Sequence, residues 1–214
     1  MFPAYFTEAL MNRRLVLITW SLYLSTFAAA QDKKSPIVAL SEPALGERGT
    51  SRILYWNEET NKPVASVAID FGRPVWNKAL DDPARFDAMT KGKVWRLGND
   101  YWTILDTNLP LRIGERNISV GLWYLGLHRS DDGSTWSLAF IDPVKARRSR
   151  NDGFVMEAVP VEFRVPMKTE QTAQMMEKLT LALSAQKDDM RNVTLRISWG
   201  KLQLMTPIRV MLEN

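Results

Sequence analysis

The chain has 214 residues with 28 basic and 24 acidic side chains, one histidine and no cysteine. Without cysteine a disulfide framework and a cysteine-borne lipid anchor are excluded, and one histidine cannot assemble the common His or Cys zinc sites. A net charge of +4 is too mild to argue for nucleic acid or for an anionic membrane surface as partner.

Residues 11–30, "MNRRLVLITWSLYLSTFAAA", carry Arg13 and Arg14, an uncharged apolar run from Leu15 to Phe27, and three alanines before Gln31. That is the pattern of a secretory signal peptide, residues 1–30, cleaved after Ala30. The run falls short of the roughly 20 residues of a membrane-spanning helix, so no span is expected after cleavage. Glu8 does not suit a basic leader, which makes Met11 an alternative start of translation. Removing residues 1–30 takes away Arg13, Arg14 and Glu8, leaving 26 basic and 23 acidic residues and a charge of +3 on 184 residues. That length suits one domain with its own core. The expected location is secreted or periplasmic.

Residues 31–50 are polar, with Pro36, Pro43 and Gly46, and read as an arm or linker with a short edge strand around Ile37 to Leu40. From residue 51 to 213 a single β-sandwich domain is expected, because the period is two in segment after segment. Ala65, Val67, Ile69 and Phe71 share one face; so do Trp123, Leu125 and Leu127, and Trp136, Leu138 and Phe140. Val159, Val161, Phe163 and Val165 form a further set, as do Leu179, Leu181 and Leu183, and Val193, Leu195, Ile197 and Trp199. One apolar face per strand predicts antiparallel sheets packed face to face, all-β and jelly-roll-like. Turns at 114–117 and 131–134 sit at hairpin length. Asp82-Pro83 predicts an N-cap and a short helix over 83–90. "TEQTAQMMEKL" could start a second helix at Thr169, although the alternation after Glu177 favours a strand. "KARRSRND", residues 145–152, reads as a solvated basic loop, because no aromatic residues interleave its charges.

Neither a phosphate loop, a dinucleotide glycine fingerprint nor a serine nucleophile elbow occurs, so no cofactor, metal or catalytic residue is assigned. His128 reads as a strand-end residue. Asp131, Asp132 and Ser134 lack the rest of a calcium loop and read as a turn. Asn117-Ile118-Ser119 and Asn192-Val193-Thr194 match the glycosylation tripeptide, a short pattern that matters only in a eukaryotic host.

The chemically densest stretch is "KGKVWRLGNDYWTILDTNLPLRIG", residues 91–114. Arg96 stays charged and requires an acceptor, for which Asp70 and Asp100 are the options. The structural reading is an Arg–carboxylate clamp under aromatic rings; the functional reading is an anion or sugar pocket. Ligand-binding candidates are Arg96, Asn99, Asp100, Asp70, Arg73, Tyr101 and Tyr124. The other class of function is a carbohydrate-active or other hydrolase pairing carboxylates among Asp70, Asp100 and Asp106 beside aromatic platforms.

The strings "SVAIDFGRPVW", "GKVWRLGNDYWTILDTNLPLRIG", "VGLWYLGL" and "LRISWGKLQLMTPI" resemble an exported bacterial family, domain of unknown function 2911, over roughly residues 36–212. Its W-R-x-G-[AS]-N type motif looks like Trp95, Arg96, Gly98 and Asn99, with one residue fewer, which leaves the motif's polar role to Asn99 or Asp100. Its G-x-Y-x-L strand is similar to Gly121, Trp123 and Leu125, the aromatic place falling to Trp123 or Tyr124; Gly72, Arg73 and Pro74 stand for its glycine-arginine-proline tract. The resemblance implies an exported all-β sandwich and carries over no activity. The expectation is a binding or structural module of the cell envelope, whose partner is a glycan, a small ligand or an envelope protein.

Overall fold

The computed structural model describes Ala39 and residues 46–212, apart from 151, 154, 155, 157 and 158. The signal peptide and, but for Ala39, the strand expected at 37–40 lie outside the described residues. Ten strands are described: β1 Arg48–Asn57, β2 Lys62–Gly72, β3 Val94–Arg96, β4 Thr103–Thr107, β5 Leu111–Ile113, β6 Arg116–Ile118, β7 Gly121–Arg129, β8 Trp136–Ile141, β9 Phe163–Ala185 and β10 Asn192–Val210. Every ladder is antiparallel, in the order β1-β2-β4-β7-β8-β9-β10-β5-β6, with β3 also on β7. β1 starts at Arg48, within the span read as a polar arm.

The sandwich arises where β9 belongs to both layers. The first residues of β9 pair with β8, its remainder pairs with β10, and the end of β10 pairs with β5. The first layer then turns back toward the second: the Ser51 hydroxyl accepts from the Leu183 N–H at 2.8 Å, and Pro74–Trp76 hydrogen-bonds to Glu177 and Leu179. Between the layers lies one core, drawn from alternate residues as the period demands. Val67, Ile69, Leu105, Leu125, Leu127, Leu138 and Phe140 are fully buried in it. Each such side chain contributes about 1.5–3 kcal/mol relative to exposure.

Three sequence expectations need correction. Residues 169–177 continue β9 and form no helix, because pairing with β10 overrides local helix preference. Val159 and Val161 precede β9 and join a second, smaller cluster with Trp102, Tyr124, Ile141, Ala146 and Met156. Residues 145–148 are part of a helix, Pro143–Arg148, rather than a loop; Asp142 caps it by accepting from the Val144 N–H at 2.7 Å. This helix, α2, follows α1, Pro83–Thr90, which starts at the expected Asp82-Pro83 cap. A 3-10 turn, Lys78–Asp81, precedes α1. None of the described helices is long and apolar enough to cross a membrane, which says nothing about strands.

Candidate functional site

The candidate residues of the 91–114 stretch gather at the end of the sandwich where β1 begins and β2 ends. Gly72 faces Arg48 across the ladder, and the turn 97–100 lies against it so closely that a Cβ on Gly72 would sit 2.4 Å from Asn99 O and Oδ1. The turn itself needs left-handed backbone at Gly98 (φ 117°) and Asp100 (φ 64°). Asp100 Oδ2 accepts from the Gly46 N–H and from Asn99 Nδ2, both at 2.6 Å. Thr103 donates its hydroxyl to the Leu97 carbonyl from below.

The expected clamp exists with a different arginine. Asp70 is bound by Arg48, which also donates to the Trp102 carbonyl at 3.0 Å, and by the Thr50 hydroxyl at 3.2 Å. Arg96 instead donates its Nε to the Gly98 carbonyl at 3.2 Å. The Arg48 guanidinium lies 5.6 Å above the exposed Tyr101 ring. Arg48 lay in the span read as an arm, so its role was hidden. Arg73 bonds Glu47 at 2.5 Å, and Glu47 also holds Lys178 at 2.5 Å, tying β2 to β9; Lys178 and Arg73 keep the Glu47 carboxyl below its ordinary range. Tyr124 is buried, stacked on Trp102 at 4.6 Å, and its hydroxyl accepts from Arg147 Nε at 3.0 Å; burial raises its pKa. Arg48, Arg73 and Tyr124 thus hold one element to another, while Arg96 Nε closes its own turn.

The carboxylates of the hydrolase reading are divided. Asp70 and Asp106 share the outer face of β2 and β4, a diagonal step apart, while Asp100 sits off the sheet in the turn. Asp132 folds its own hairpin turn, accepting from Ser130 and twice from Ser134, which lowers its pKa to about 2. Among the described residues no three His, Cys, Asp or Glu side chains group as metal ligands would. His128 has a lowered pKa, from burial and then from Arg164.

An open cleft lies beside this knot, formed by residues the sequence reading passed over. Trp76, Leu80, Asp81, Pro83, Phe86, Lys201 and Leu202 line a cavity of about 320 Å³. Trp76 is seated by the strand-like bonds of Pro74–Trp76 to β9, and its indole N–H donates to Asp81 Oδ1 at 3.0 Å. Its ring rests on the bare backbone of Gly200: a Cβ there would lie 2.4–2.6 Å from ring carbons, and Gly200 has φ 58°. The β9–β10 ladder slips on both sides of Gly200, pairing Ser198 with Thr180, Gly200 with Met176 and Leu202 with Gln171. The inward face of β10 changes parity there, from Val193, Leu195, Ile197 and Trp199 to Leu204, Thr206, Ile208 and Val210. The opposite wall, Phe86 on α1, is held by Arg129. That guanidinium lies 5.3 Å from the Phe86 ring and 5.4 Å from Trp136, and donates to Asp87 at 2.7 Å and Thr90 at 3.0 Å. Lys91 shares Asp87 at 2.6 Å; these two cations, Lys91 first, hold the Asp87 carboxyl below its ordinary range.

A family model described as a protein of unknown function, DUF2911, matches residues 57–208. The chain belongs to this family. No curated protein and no solved structure matches the chain. The matched DUF2911 span holds the fingerprint turn and every cleft residue, but leaves out Arg48 and Glu47, which fasten the turn and Arg73 from upstream.

Proposed function

We propose that this DUF2911 chain is an exported β-sandwich binding module of the cell envelope, and that its ligand is a small molecule held in the Trp76–Phe86–Leu202 cleft. The observation that carries the reading is the cleft itself: about 320 Å³, walled by two aromatic rings and two leucines, with a carboxylate and an ammonium at its rim. Small-molecule sites have this size, apolar lining and sparse polar groups. Export is supported by the leader pattern of residues 11–30. The hydrolase alternative would need a carboxyl held protonated to serve as general acid. Of Asp70, Asp100 and Asp106, the first is held by Arg48 and Thr50, and the second accepts from Asn99 and the Gly46 N–H in the turn, apart from the other two.

A metabolite and glycan binding screen on the purified full chain tests the reading. A hit should be lost in Leu202→Trp, which fills the cleft, while the melting temperature stays near that of the parent. Binding that survives the filled cleft would place the ligand elsewhere. N-terminal sequencing of protein recovered outside the cytoplasm should start at Gln31; an intact leader there would refute cleavage.

A further inference from the structure

We infer that the ligand of this cleft is a small amphipathic anion, an apolar body carrying a carboxylate that Lys201 neutralises. The inference rests on the cleft being the binding site and adds the charge of what enters it.

The argument starts from how the cleft distributes its polar groups. Its walls, Trp76, Leu80, Pro83, Phe86 and Leu202, have one side-chain donor between them, the Trp76 indole, and Asp81 already accepts from it. Lys201 supplies the cleft's one cationic side chain. Several cations nearby are matched to carboxylates: Arg48 to Asp70, Arg73 and Lys178 to Glu47, Lys91 and Arg129 to Asp87. Lys78 in the 3-10 turn has no carboxylate within ion-pair distance among the described residues, but it is not part of the cleft lining. Lys201 has no carboxylate within ion-pair distance among the described residues.

Its placement is the second observation. Lys201 stands between Gly200 and Leu202, the two pairs at which the β9–β10 register slips, and at the point where the inward parity of β10 reverses. Such irregularities forgo ladder hydrogen bonds and re-aim side chains, commonly beside binding sites. Here the irregularity brings an exposed ammonium to the rim of an apolar cavity, and Gly200 leaves room for the indole that forms its floor. Asp81 sets the orientation. Its carboxylate, fixed by the indole, repels a second anion at its own side and accepts from a ligand hydroxyl or ammonium there.

Three shape-matched probes separate charge from fit: phenylpropionate, phenylpropionamide and phenylpropylamine, titrated calorimetrically into the full chain. Phenylpropionate should bind about twofold to fivefold tighter than the amide or the amine, the range of one exposed ion pair. Lys201→Gln should erase that preference and leave the amide unchanged, and Lys201→Arg should restore it. Equal binding of acid and amide, or a preference that survives Lys201→Gln, would overturn the anion assignment while leaving the cleft as the site. Failure of all three probes in the parent chain, with another ligand lost on filling the cleft, would overturn the anion assignment alone. Failure of all three with no cleft-dependent ligand at all would overturn both.

Discussion

The fingerprint turn and the Trp76 cleft lie at the same end of the sandwich and differ in almost every respect. The turn is dense in arginine, asparagine, aspartate and aromatic residues, and many of its side chains are spent on one another or on neighbours: Asp70 on Arg48, Asp100 on Asn99 and the Gly46 N–H, Tyr124 on Arg147. Asn99 Oδ1, Trp95 Nε1 and Arg48 Nη1 are nevertheless buried without a hydrogen-bond partner among the described residues. The cleft is built from unassuming residues, with its one cationic side chain left unmatched. Chemical richness in a sequence therefore marks a place where many groups need partners. A folded chain meets most of that need internally when the groups fasten elements, whereas a small-molecule cleft needs only a few polar groups on an apolar lining.

The comparison can be broken from the cleft side first. Gly200→Ala puts a Cβ into the Trp76 ring on a left-handed residue, and should cost about 2–4 kcal/mol in denaturant unfolding. A neutral result would mean that the indole does not rest on that backbone. Next comes the knot: Arg48→Ala leaves Asp70 with only the Thr50 hydroxyl and the Trp102 carbonyl without that donor, and should cost about 1–2 kcal/mol, yet leave cleft affinity alone. Altered ligand affinity in that variant would erase the distinction between the two regions.

Arg129→Met keeps the volume between Phe86 and Trp136 while removing the charge, and should cost about 1–2 kcal/mol and weaken ligand binding together. Tyr124→Phe, far from the cleft, should cost about 0.5–1.5 kcal/mol for one lost hydrogen bond and nothing in binding.

The smallest effect is acid sensitivity. Asp87, lowered by Lys91 and Arg129, takes up its proton more readily in the unfolded chain, so its contribution is full above the ordinary carboxylate range near about pH 4 and is lost as pH falls through the folded value. Melting temperature should drop below that pH, with a shallower slope in Asp87→Asn; an unchanged slope would show that Asp87 does not anchor α1.

Much of the fold was legible because period two survives burial. Ala65, Val67, Ile69 and Phe71 alternate in the sequence and all face the core. Where two forces competed, the reading slipped. The helix-prone run after Thr169 became strand through pairing with β10, a partner far along the chain. The helix at Pro143 carries the same Asp-Pro cap as the one at Pro83, but the basic run after it fits a solvated loop equally well. The cleft did leave a trace: apolar parity reverses across "WGKLQL", with a glycine at the reversal, which is what a break in a ladder looks like in one dimension. Nothing local could have paired Trp76 with Gly200, since only the return of Pro74–Trp76 onto β9 brings them together.

The sharing of β9 between the layers bears on how this protein comes apart. Neither layer keeps its full set of neighbours without β9, so partial melting of one layer is disfavoured and a single cooperative transition is expected by calorimetry. The closing contact, Ile208 against Ile113, joins the end of the chain to its middle. Such a distant pairing makes for slow, late closure during folding, which depends on the final strand segment 208–210.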